Sequence, residues 1–220
     1  MVVAVRESAL KECASPLSLA ALLNKQFWIF DLDGTLTMPL HDFAAMRREL
    51  AVPDGVGILE HLQCQPEPLR TELNLRLTEI EIAVAERAEP MPHAQSLITA
   101  LAAQGIELAI LTRNRRDCVD IVLQRLGLQH CFPAVQIIAS ECADPKPSPA
   151  GIERLLAHWQ CPTEACVMLG DYLYDLQAGR AAGISTVHFN PFSGPRWPAQ
   201  TDLELSSFEP LLTEIARFTP

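Results

Sequence analysis

Five short apolar runs alternate with longer stretches of helical pattern, and this alternation constrains the fold of the chain more than any other feature. The runs are Phe27–Phe30, Ile106–Leu111, Val135–Ala139, Cys166–Leu169 and Thr186–Phe189. Strands that alternate with helices favour a parallel sheet with right-handed crossovers, because each helix returns the chain to the same end of the sheet. The sequence therefore predicts an α/β fold, with a sixth strand at Leu203–Leu205 and a closing helix at Pro210–Phe218.

One long region interrupts this alternation. Residues 39–89 show no strand pattern, and their apolar side chains recur at helical spacing. The first stripe contains Phe43, Met46 and Leu50, and the second contains Leu69, Leu73, Leu77, Ile80 and Val84. We therefore predict a small all-helical cap at 39–89, inserted just after the first strand, with residues 1–38 and 90–220 forming the core. Residues 1–25 are predicted to be an N-terminal extension with a short helix around Leu17–Leu23.

The composition of the chain excludes several classes of partner. The chain carries 27 acidic and 17 basic residues, which gives a net charge of −10 at pH 7, whereas binding to nucleic acid or to a membrane surface needs a basic patch. No apolar stretch approaches the roughly 18 residues of a membrane span, and the N-terminus lacks the pattern of a secretory signal. The seven cysteines include no CxxC pair and are typical of reduced thiols. We therefore expect a cytoplasmic protein with no nucleic-acid or membrane partner.

Two aspartates follow the first predicted strand directly, in the run DLDGTLT, where they are Asp31 and Asp33. Residues i and i+2 share one face of a strand, and open α/β sheets bind ligands at the carboxyl ends of their strands. One carboxylate can attack a substrate while the other handles a proton, and both can help to hold a hard cation. The same residues also suit an ordinary Asx-type turn, so the rest of the chain decides between the two interpretations.

Further polar residues follow three of the other predicted strands. They are Thr112 and Arg113 after the second strand, Lys146 after the third, and Asp171 and Asp175 after the fourth. A hydroxyl beside the first amides of a helix suits a phosphate, and the two acids can complete a site for Mg²⁺, which prefers oxygen ligands. Plainer explanations also exist, because Thr112 suits a helix cap and Lys146 suits a solvated surface position. However, Lys146 is the single lysine after residue 25 and lies in a proline-rich loop.

Taken together, the order Asp-x-Asp, Thr, Lys and Gly-Asp-x-x-x-Asp resembles the four sequence motifs of the haloacid dehalogenase superfamily. The resemblance extends over nearly the whole chain beyond residue 25. The helical insert is similar to the small cap of the phosphoglycolate-phosphatase-like branch of that superfamily. This resemblance implies a Rossmann-like core and a Mg²⁺-dependent phosphatase that hydrolyses a small phosphate monoester. The insert is shorter than the caps of that branch, so the specific substrate does not carry over.

The resemblance also implies catalytic and metal-binding roles for the matched acids. Asp31 would be the nucleophile that forms an aspartyl-phosphate, and Asp33 would act as general acid and then as general base. Mg²⁺ would be bound by Asp31, by the carbonyl of Asp33 and by Asp171. Asp175 would lie behind Asp171 and orient it.

The phosphate-binding residues implied by the resemblance are Thr112 and Lys146. Arg113, beside Thr112, either contacts the phosphate or points to solvent. The partner would be a small phosphorylated metabolite, because the acidic insert disfavours a large polyanion. Arg47 and Arg48 in the insert could reach a substrate carboxylate, although a solvated helix face is the plainer explanation. Four histidines are interpreted as solvated or capping rather than catalytic, namely His41, His61, His93 and His188.

Other functions on the same scaffold remain open at this stage. A sugar-phosphate mutase keeps the same core residues, and a catalytically silent binding or regulatory protein would keep the same fold. Dehalogenation is disfavoured because Asp33 and Asp171 are both present. Phosphonate cleavage would need a lysine in the cap, and the sequence has no lysine between Lys25 and Lys146.

Overall fold

Six strands form one parallel sheet in the computed structural model, which describes residues 17–218. They are β1 (Phe27–Phe30), β2 (Glu107–Leu111), β3 (Ile137–Ile138), β4 (Cys166–Gly170), β5 (Ser185–Phe189) and β6 (Leu203–Leu205). The strand order is β3-β2-β1-β4-β5-β6, and every neighbouring pair is parallel. The predicted α/β class is confirmed, and β1 lies at the centre of the sheet. Most of the predicted N-terminal extension, residues 1–16, lies outside the described residues.

Helices cover both faces of this sheet. Among the described residues they are α1 (Leu19–Leu23), α2 (Phe43–Glu49), α3 (Ile58–Gln63), α4 (Leu69–Ala85), α5 (Ala94–Ala103), α6 (Arg116–Leu126), α7 (Ala150–Trp159), α8 (Leu173–Ala181) and α9 (Glu209–Phe218). Trp28 and Phe30 point into a core shared with α1, α5, α6 and α9. Ile29 points to the opposite core, shared with α7 and α8, because successive side chains of a strand alternate between faces. None of these helices is both long and apolar enough to cross a lipid bilayer.

The predicted and observed strands differ most at β3. The sequence predicts a strand over Val135–Ala139, but the structure has only Ile137–Ile138 in the strand. Residues 134–136 form a single turn of 3₁₀ helix after Pro133 instead. Proline at this position fixes its own φ angle and favours a turn, so the apolar run overstates the length of the strand.

Residues 39–89, which we call the cap, contain α2, α3 and α4 and no strand; all of them are described. The cap has a small apolar core of its own, made by Met46, Leu50, Val52, Leu62 and Leu77. The α3 helix contributes Leu62 to this core and was not expected from the sequence. Two residues of the predicted stripes lie mostly outside it, because Phe43 and Leu69 are 60% and 42% exposed. The division into cap and core remains our interpretation.

The chain enters and leaves the cap at one place. Thr37 and Pro90 form an antiparallel bridge. On either side of this bridge, the amide of Met38 donates to Glu89 O and the amide of Met91 donates to Leu36 O, both at 2.9 Å. The two connections therefore lie side by side, a few residues beyond the end of β1.

Candidate active site

Asp31 lies at the carboxyl end of the central strand. Its amide donates to Leu169 O at 2.9 Å, which continues the pairing of β1 with β4 by one residue. Its side chain is buried, with 7% of the residue exposed. The chain then turns at Gly34, whose φ of +82° is in the left-handed region. A Cβ atom at Gly34 would overlap the carboxylate of Asp171, so glycine is needed here both for the turn and for the approach of the acid that follows β4.

Lys146 is the centre of a buried cluster of charges. Its Nζ atom lies 2.5 Å from Asp31 Oδ1 and 2.6 Å from Asp175 Oδ1, and it donates a third hydrogen bond to Leu111 O at 2.8 Å. The residue is only 3% exposed, so the explanation of Lys146 as a solvated surface residue is wrong. Burial alone would lower the pKa of Lys146, but the charges of Asp175 and Asp31 outweigh it and raise the pKa. The amine therefore stays charged between two carboxylates.

Three carboxylates from two strand ends converge at this position. Asp31, Asp171 and Asp175 each place an oxygen within 4.8 Å of the others. Burial raises the pKa of Asp31 well above its ordinary value, while Lys146 opposes the shift. Burial, together with the charge of Asp175, raises the pKa of Asp171 to about 7. Since one amine faces three acids, this cluster has an excess of negative charge.

Both oxygens of Asp175 already have partners within the protein. One oxygen contacts Lys146, and the other accepts a hydrogen bond from the amide of Tyr172 at 3.0 Å. The carboxyl group packs against Gly170, where a Cβ atom would overlap it. Asp175 is therefore fixed in place from three sides and is 2% exposed.

Asp33 is held by two side chains that the sequence interpretation missed. Asn114 Nδ2 donates to Asp33 Oδ2 at 3.1 Å, and His41 Nδ1 lies 3.7 Å from Asp33 Oδ1. A signal for Asn114 existed, because Thr112 and Asn114 repeat after β2 the i, i+2 spacing of the two aspartates after β1. His41 comes from the loop that enters the cap and has no such signal in the sequence. The side chain of His41 is 8% exposed, so its interpretation as a solvated residue is wrong.

Thr112 and Arg113, which follow β2, lie at the site, where their side chains contact other groups of the protein. The hydroxyl of Thr112 accepts a hydrogen bond from the amide of Asn114 at 3.0 Å; the N-cap of α6 is Arg115, so Thr112 is not the helix cap. Arg113 donates to Lys146 O at 2.5 Å and to both oxygens of Glu60 in the cap at 2.9 and 3.0 Å. The phosphate contacts of Thr112 and Arg113 stay predictions.

Arg47, the first arginine of the cap, also forms hydrogen bonds to nearby residues of the cap. Arg47 donates to Val56 O at 2.7 Å and to Pro53 O, which are both in the loop after α2. Its guanidinium therefore organises the cap itself. Arg48, its neighbour, is exposed. These contacts agree with the plainer explanation of the two arginines as parts of the cap surface.

A cavity of about 170 Å³ lies between the cap and the core, and Pro145, which precedes Lys146, is one of its lining residues. Glu81 of α4 lies in its wall and is only 7% exposed. Its Oε2 atom is buried and has no hydrogen-bond partner among the described residues. Burial, with the nearby charge of Asp33, raises the pKa of Glu81 to about 8, while Arg115 opposes the shift. No sequence signal marked Glu81, because an acid on a helix is ordinarily solvated.

Comparison with known proteins places the chain in a family. A model of the haloacid dehalogenase-like hydrolase family matches residues 51–189, which is more than half of the chain, and the chain belongs to this family. The match begins after Asp31 and Asp33, so the arrangement of these two aspartates rests on the geometry described above.

Two curated relatives and one solved structure extend this comparison. A haloacid dehalogenase-like hydrolase domain-containing protein of Arabidopsis thaliana is 28% identical over 170 residues, which cover 72% of this chain and 68% of the relative. A phosphoglycolate phosphatase of Colwellia psychrerythraea is 28% identical over 220 residues, which cover 84% of this chain and 96% of the relative. The crystal structure of a hydrolase from Pseudomonas syringae has a TM-score of 0.70 at 20% identity, and covers 89% of this chain and 100% of that one. This last likeness supports the fold.

Proposed function

We propose that this chain is a Mg²⁺-dependent phosphatase that hydrolyses a small phosphate monoester through an aspartyl-phosphate on Asp31. The observation that carries the proposal is the buried Lys146, which contacts both Asp31 and Asp175. An amine in this position holds the Asp31 carboxylate in one orientation and favours its ionised, nucleophilic form. The relative from Colwellia psychrerythraea is named a phosphoglycolate phosphatase, which supports the phosphate monoester as the class of substrate.

The reaction would proceed in two displacements at phosphorus. An oxygen of Asp31 attacks the phosphorus atom, and the bond from phosphorus to the leaving oxygen breaks while Asp33 donates a proton to that oxygen. Asp33, now a carboxylate, then takes a proton from a water molecule as the water oxygen attacks the same phosphorus. The bond between phosphorus and Asp31 breaks, and inorganic phosphate leaves. The hydrogen bond from Asn114 orients Asp33 for both proton transfers, and His41 lies beside the other carboxylate oxygen at 3.7 Å.

The acids at this site suit a magnesium ion. Oxygens of Asp31, Asp171 and Asp175 lie within 4.8 Å of one another. Mg²⁺ prefers hard oxygen donors that carry negative charge. We assign the binding of the ion to Asp31, the carbonyl of Asp33, and Asp171. Asp175 stands behind Asp171, because both of its oxygens already have protein partners. Bound there, Mg²⁺ would offset the repulsion between these acids and the substrate phosphate.

Phosphate recognition falls to residues at the ends of β2 and β3. Lys146 supplies a charge next to Asp31, and Thr112 supplies a hydroxyl at the turn before α6. Both side chains are buried, with 3% and 4% of the residue exposed, so they are already ordered before a ligand binds. The six described cysteines are free, which supports the reducing cytoplasm as the location that we propose.

The proposal is tested by release of inorganic phosphate from p-nitrophenyl phosphate and from acetyl phosphate. Turnover should stop when a chelator removes divalent cations, and it should return on addition of Mg²⁺. Ca²⁺ should restore it poorly, because Ca²⁺ favours more ligands and looser geometry. Full turnover in the presence of chelator would contradict the metal requirement. Transfer of the phosphoryl group to a second sugar phosphate, without release to water, would instead indicate a mutase.

The role of Asp33 can be separated from that of Asp31 by the choice of leaving group. Asp33→Asn removes the proton donor, so hydrolysis of an alkyl phosphate should fall more than hydrolysis of p-nitrophenyl phosphate, whose leaving group needs no proton. An equal loss for both substrates would argue against Asp33 as the general acid.

A further inference from the structure

The cavity between the cap and the core has polar walls on both sides. Asn74, Thr78 and Glu81 of α4 form the wall from the cap, and Arg115, Ser140 and Glu141 from the loops after β2 and β3 form the wall from the core. Its volume of about 170 Å³ corresponds to about six water molecules at roughly 30 Å³ each. The cavity therefore has room for a small organic group as well as for solvent.

Two lining residues of this cavity are chain neighbours of residues in the proposed site. Arg115 follows Asn114 directly, and Asn114 donates to Asp33, which we assign as the acid that protonates the leaving oxygen. Pro145 lines the same cavity and precedes Lys146, the proposed partner of the phosphate. A phosphate monoester bound at Lys146 would therefore extend its alcohol portion toward the cap and into this space.

Most charged side chains around the cavity already have partners. Arg115 binds Asp117 through two hydrogen bonds, at 3.2 and 3.1 Å. The carboxylate of Glu141 accepts hydrogen bonds from the amide of Arg116 and from Ser140 Oγ, both at 3.2 Å. Both of these side chains therefore already have hydrogen-bond partners within the protein.

Glu81 differs from these neighbours. Its Oε2 atom is buried and has no partner among residues 17–218, although the residue is 93% shielded from solvent. Buried polar atoms in native proteins are almost always hydrogen-bonded, and an exception calls for an explanation such as a missing ligand or water. In either protonation state, a carboxyl oxygen accepts a hydrogen bond from a hydroxyl group. Glu81 therefore lines the cavity and has an unused acceptor, Oε2, buried within the wall.

The charge around Glu81 indicates which leaving groups this acceptor suits. Burial is the main reason that a negative charge on Glu81 is disfavoured; among the nearby charges, Asp33, Asp117 and Glu141 act in the same direction and Arg115 opposes them. The same potential would repel a carboxylate or a second phosphate on the substrate. A hydroxyl group carries no charge and supplies the hydrogen bond that Oε2 lacks.

We propose that this cavity binds the leaving group of the substrate and that Glu81 selects an uncharged polyhydroxy alcohol, so that the substrates are sugar or polyol monophosphates. The proposal rests on the proposed function and deepens it. It places the choice of substrate in a residue of the cap that takes no part in the chemistry. Phosphate esters whose leaving group carries its own negative charge would be poor substrates.

Matched pairs of substrates test this proposal. Glycerol 3-phosphate and 3-phosphoglycerate differ only by a hydroxymethyl group against a carboxylate, and sorbitol 6-phosphate and 6-phosphogluconate form a second, longer pair with the same difference. For the wild-type chain with Mg²⁺, we expect kcat/KM to favour the uncharged member of at least one pair by about tenfold or more. A preference for the anionic member in both pairs would overturn the proposal, as would no turnover of either uncharged member by a chain that hydrolyses acetyl phosphate.

Two substitutions assign the preference to Glu81. Glu81→Met keeps a side chain of similar length without an acceptor, and it should lower kcat/KM for the favoured polyol phosphate, relative to acetyl phosphate, by about tenfold. Glu81→Gln keeps an acceptor oxygen and should recover most of that ratio. Glu72→Met, at an exposed position on the same helix, is the matched control and should leave the ratio unchanged.

The outcomes separate this proposal from the proposed function. If the wild-type chain hydrolyses acetyl phosphate but Glu81→Met and Glu81→Gln both keep the wild-type ratio, Glu81 does not select the substrate and only the present proposal falls. If the wild-type chain with Mg²⁺ hydrolyses none of these phosphates, the proposed function falls and this proposal falls with it. Thermal unfolding of each variant verifies that a lost ratio does not come from a lost fold.

Discussion

The cluster around Lys146 and the cavity beside Glu81 both bury ionisable side chains, but they differ in whether these side chains have partners. In the core, Lys146 contacts two carboxylates and a carbonyl, and Asp175 has a partner on each oxygen. In the wall of the cavity, Glu81 is also buried, and its Oε2 atom has no partner among the described residues. The comparison teaches that the core is organised before a ligand arrives, whereas the wall of the cavity keeps a buried acceptor without a partner among the described residues.

The largest effect should follow a change at the proposed nucleophile in the core. Asp31→Asn keeps the size of the side chain and removes the attacking oxygen. We expect turnover to fall by at least about a thousandfold, which is roughly 4 kcal/mol in the activation barrier. The fold should persist, because Lys146 keeps Asp175 and Leu111 O as partners. Phosphate release and trapping of the phosphorylated wild-type chain measure this; retained turnover would show that the core cluster is not catalytic.

The second effect should be a loss of stability when the core loses its amine. Lys146→Met leaves Asp31 and Asp175 buried without their cation, and breaking a buried ion pair in this way costs about 3 kcal/mol or more. Urea unfolding at pH 7 measures the loss. Lys25→Met, which removes a lysine near the surface, is the control and should cost much less. Equal losses in the two variants would contradict the view that the core cluster depends on Lys146.

The third effect concerns the pH dependence of stability and should come from the cavity. The native chain keeps the proton of Glu81 up to about pH 8, whereas the unfolded chain releases it near the ordinary value of 4.5. Between these values the native state binds more protons, so rising pH lowers the stability of the wild-type chain. Glu81→Gln removes this titrating group. The free energy of unfolding of the variant, relative to that of the wild-type chain, should therefore grow from pH 5 to pH 8.

We expect this difference in free energy of unfolding to grow by about 2 kcal/mol, because each pKa unit corresponds to about 1.4 kcal/mol and hydration of the cavity reduces the full effect. Unfolding of both chains at the two pH values measures it. Glu72→Gln, at an exposed position of the same helix, should show no such growth. If the difference in free energy of unfolding between wild type and Glu81→Gln is the same at both pH values, Glu81 has a partner in the native protein.

The smallest effect should come from the ion pair that joins the two regions. Arg113 of the core binds Glu60 of the cap, with side chains 24% and 47% exposed. Exposed pairs of this kind contribute about 0.2–1 kcal/mol, so Glu60→Gln should change stability by less than about 1 kcal/mol. Because the pair holds the cap against the core, KM should change measurably in this variant, whereas the melting temperature should hardly change. Glu79→Gln, which breaks a pair within α4, should leave KM unchanged.

The core could be predicted from the sequence because each of its parts has a local signal. A buried parallel strand is a continuous apolar run, and the polar residues that matter follow it directly. The sheet then brings Asp31, Asp171 and Lys146 together without further information. Asn114 had the same kind of signal, two residues after Thr112, and could have been found by the same argument.

The cap could be predicted only in outline, for physical reasons. The α3 helix has six residues, too few for helical spacing to stand out, and it is stabilised by packing in the small cap core rather than by its own pattern. Glu81 looks like a solvated residue in the sequence, and only the packing of α4 over the core buries it. Contacts between distant segments decide both features, so no local pattern reports them.

The bridge between Thr37 and Pro90 has a consequence for how such a protein can change over generations. The two ends of the inserted segment lie at hydrogen-bonding distance, as the contacts of Met38 with Glu89 O indicate. Closing a loop at this point costs little more for a long segment than for a short one, since the entropy grows only with the logarithm of length. Insertion, shortening or exchange of the helices between these two residues therefore leaves β1 in place, and it leaves the contacts of Asp33 intact as long as His41 is kept. We expect a chimera joined at these residues to a helical segment from a relative to keep its sheet, which circular dichroism and thermal unfolding would measure, while taking its substrates from the donor.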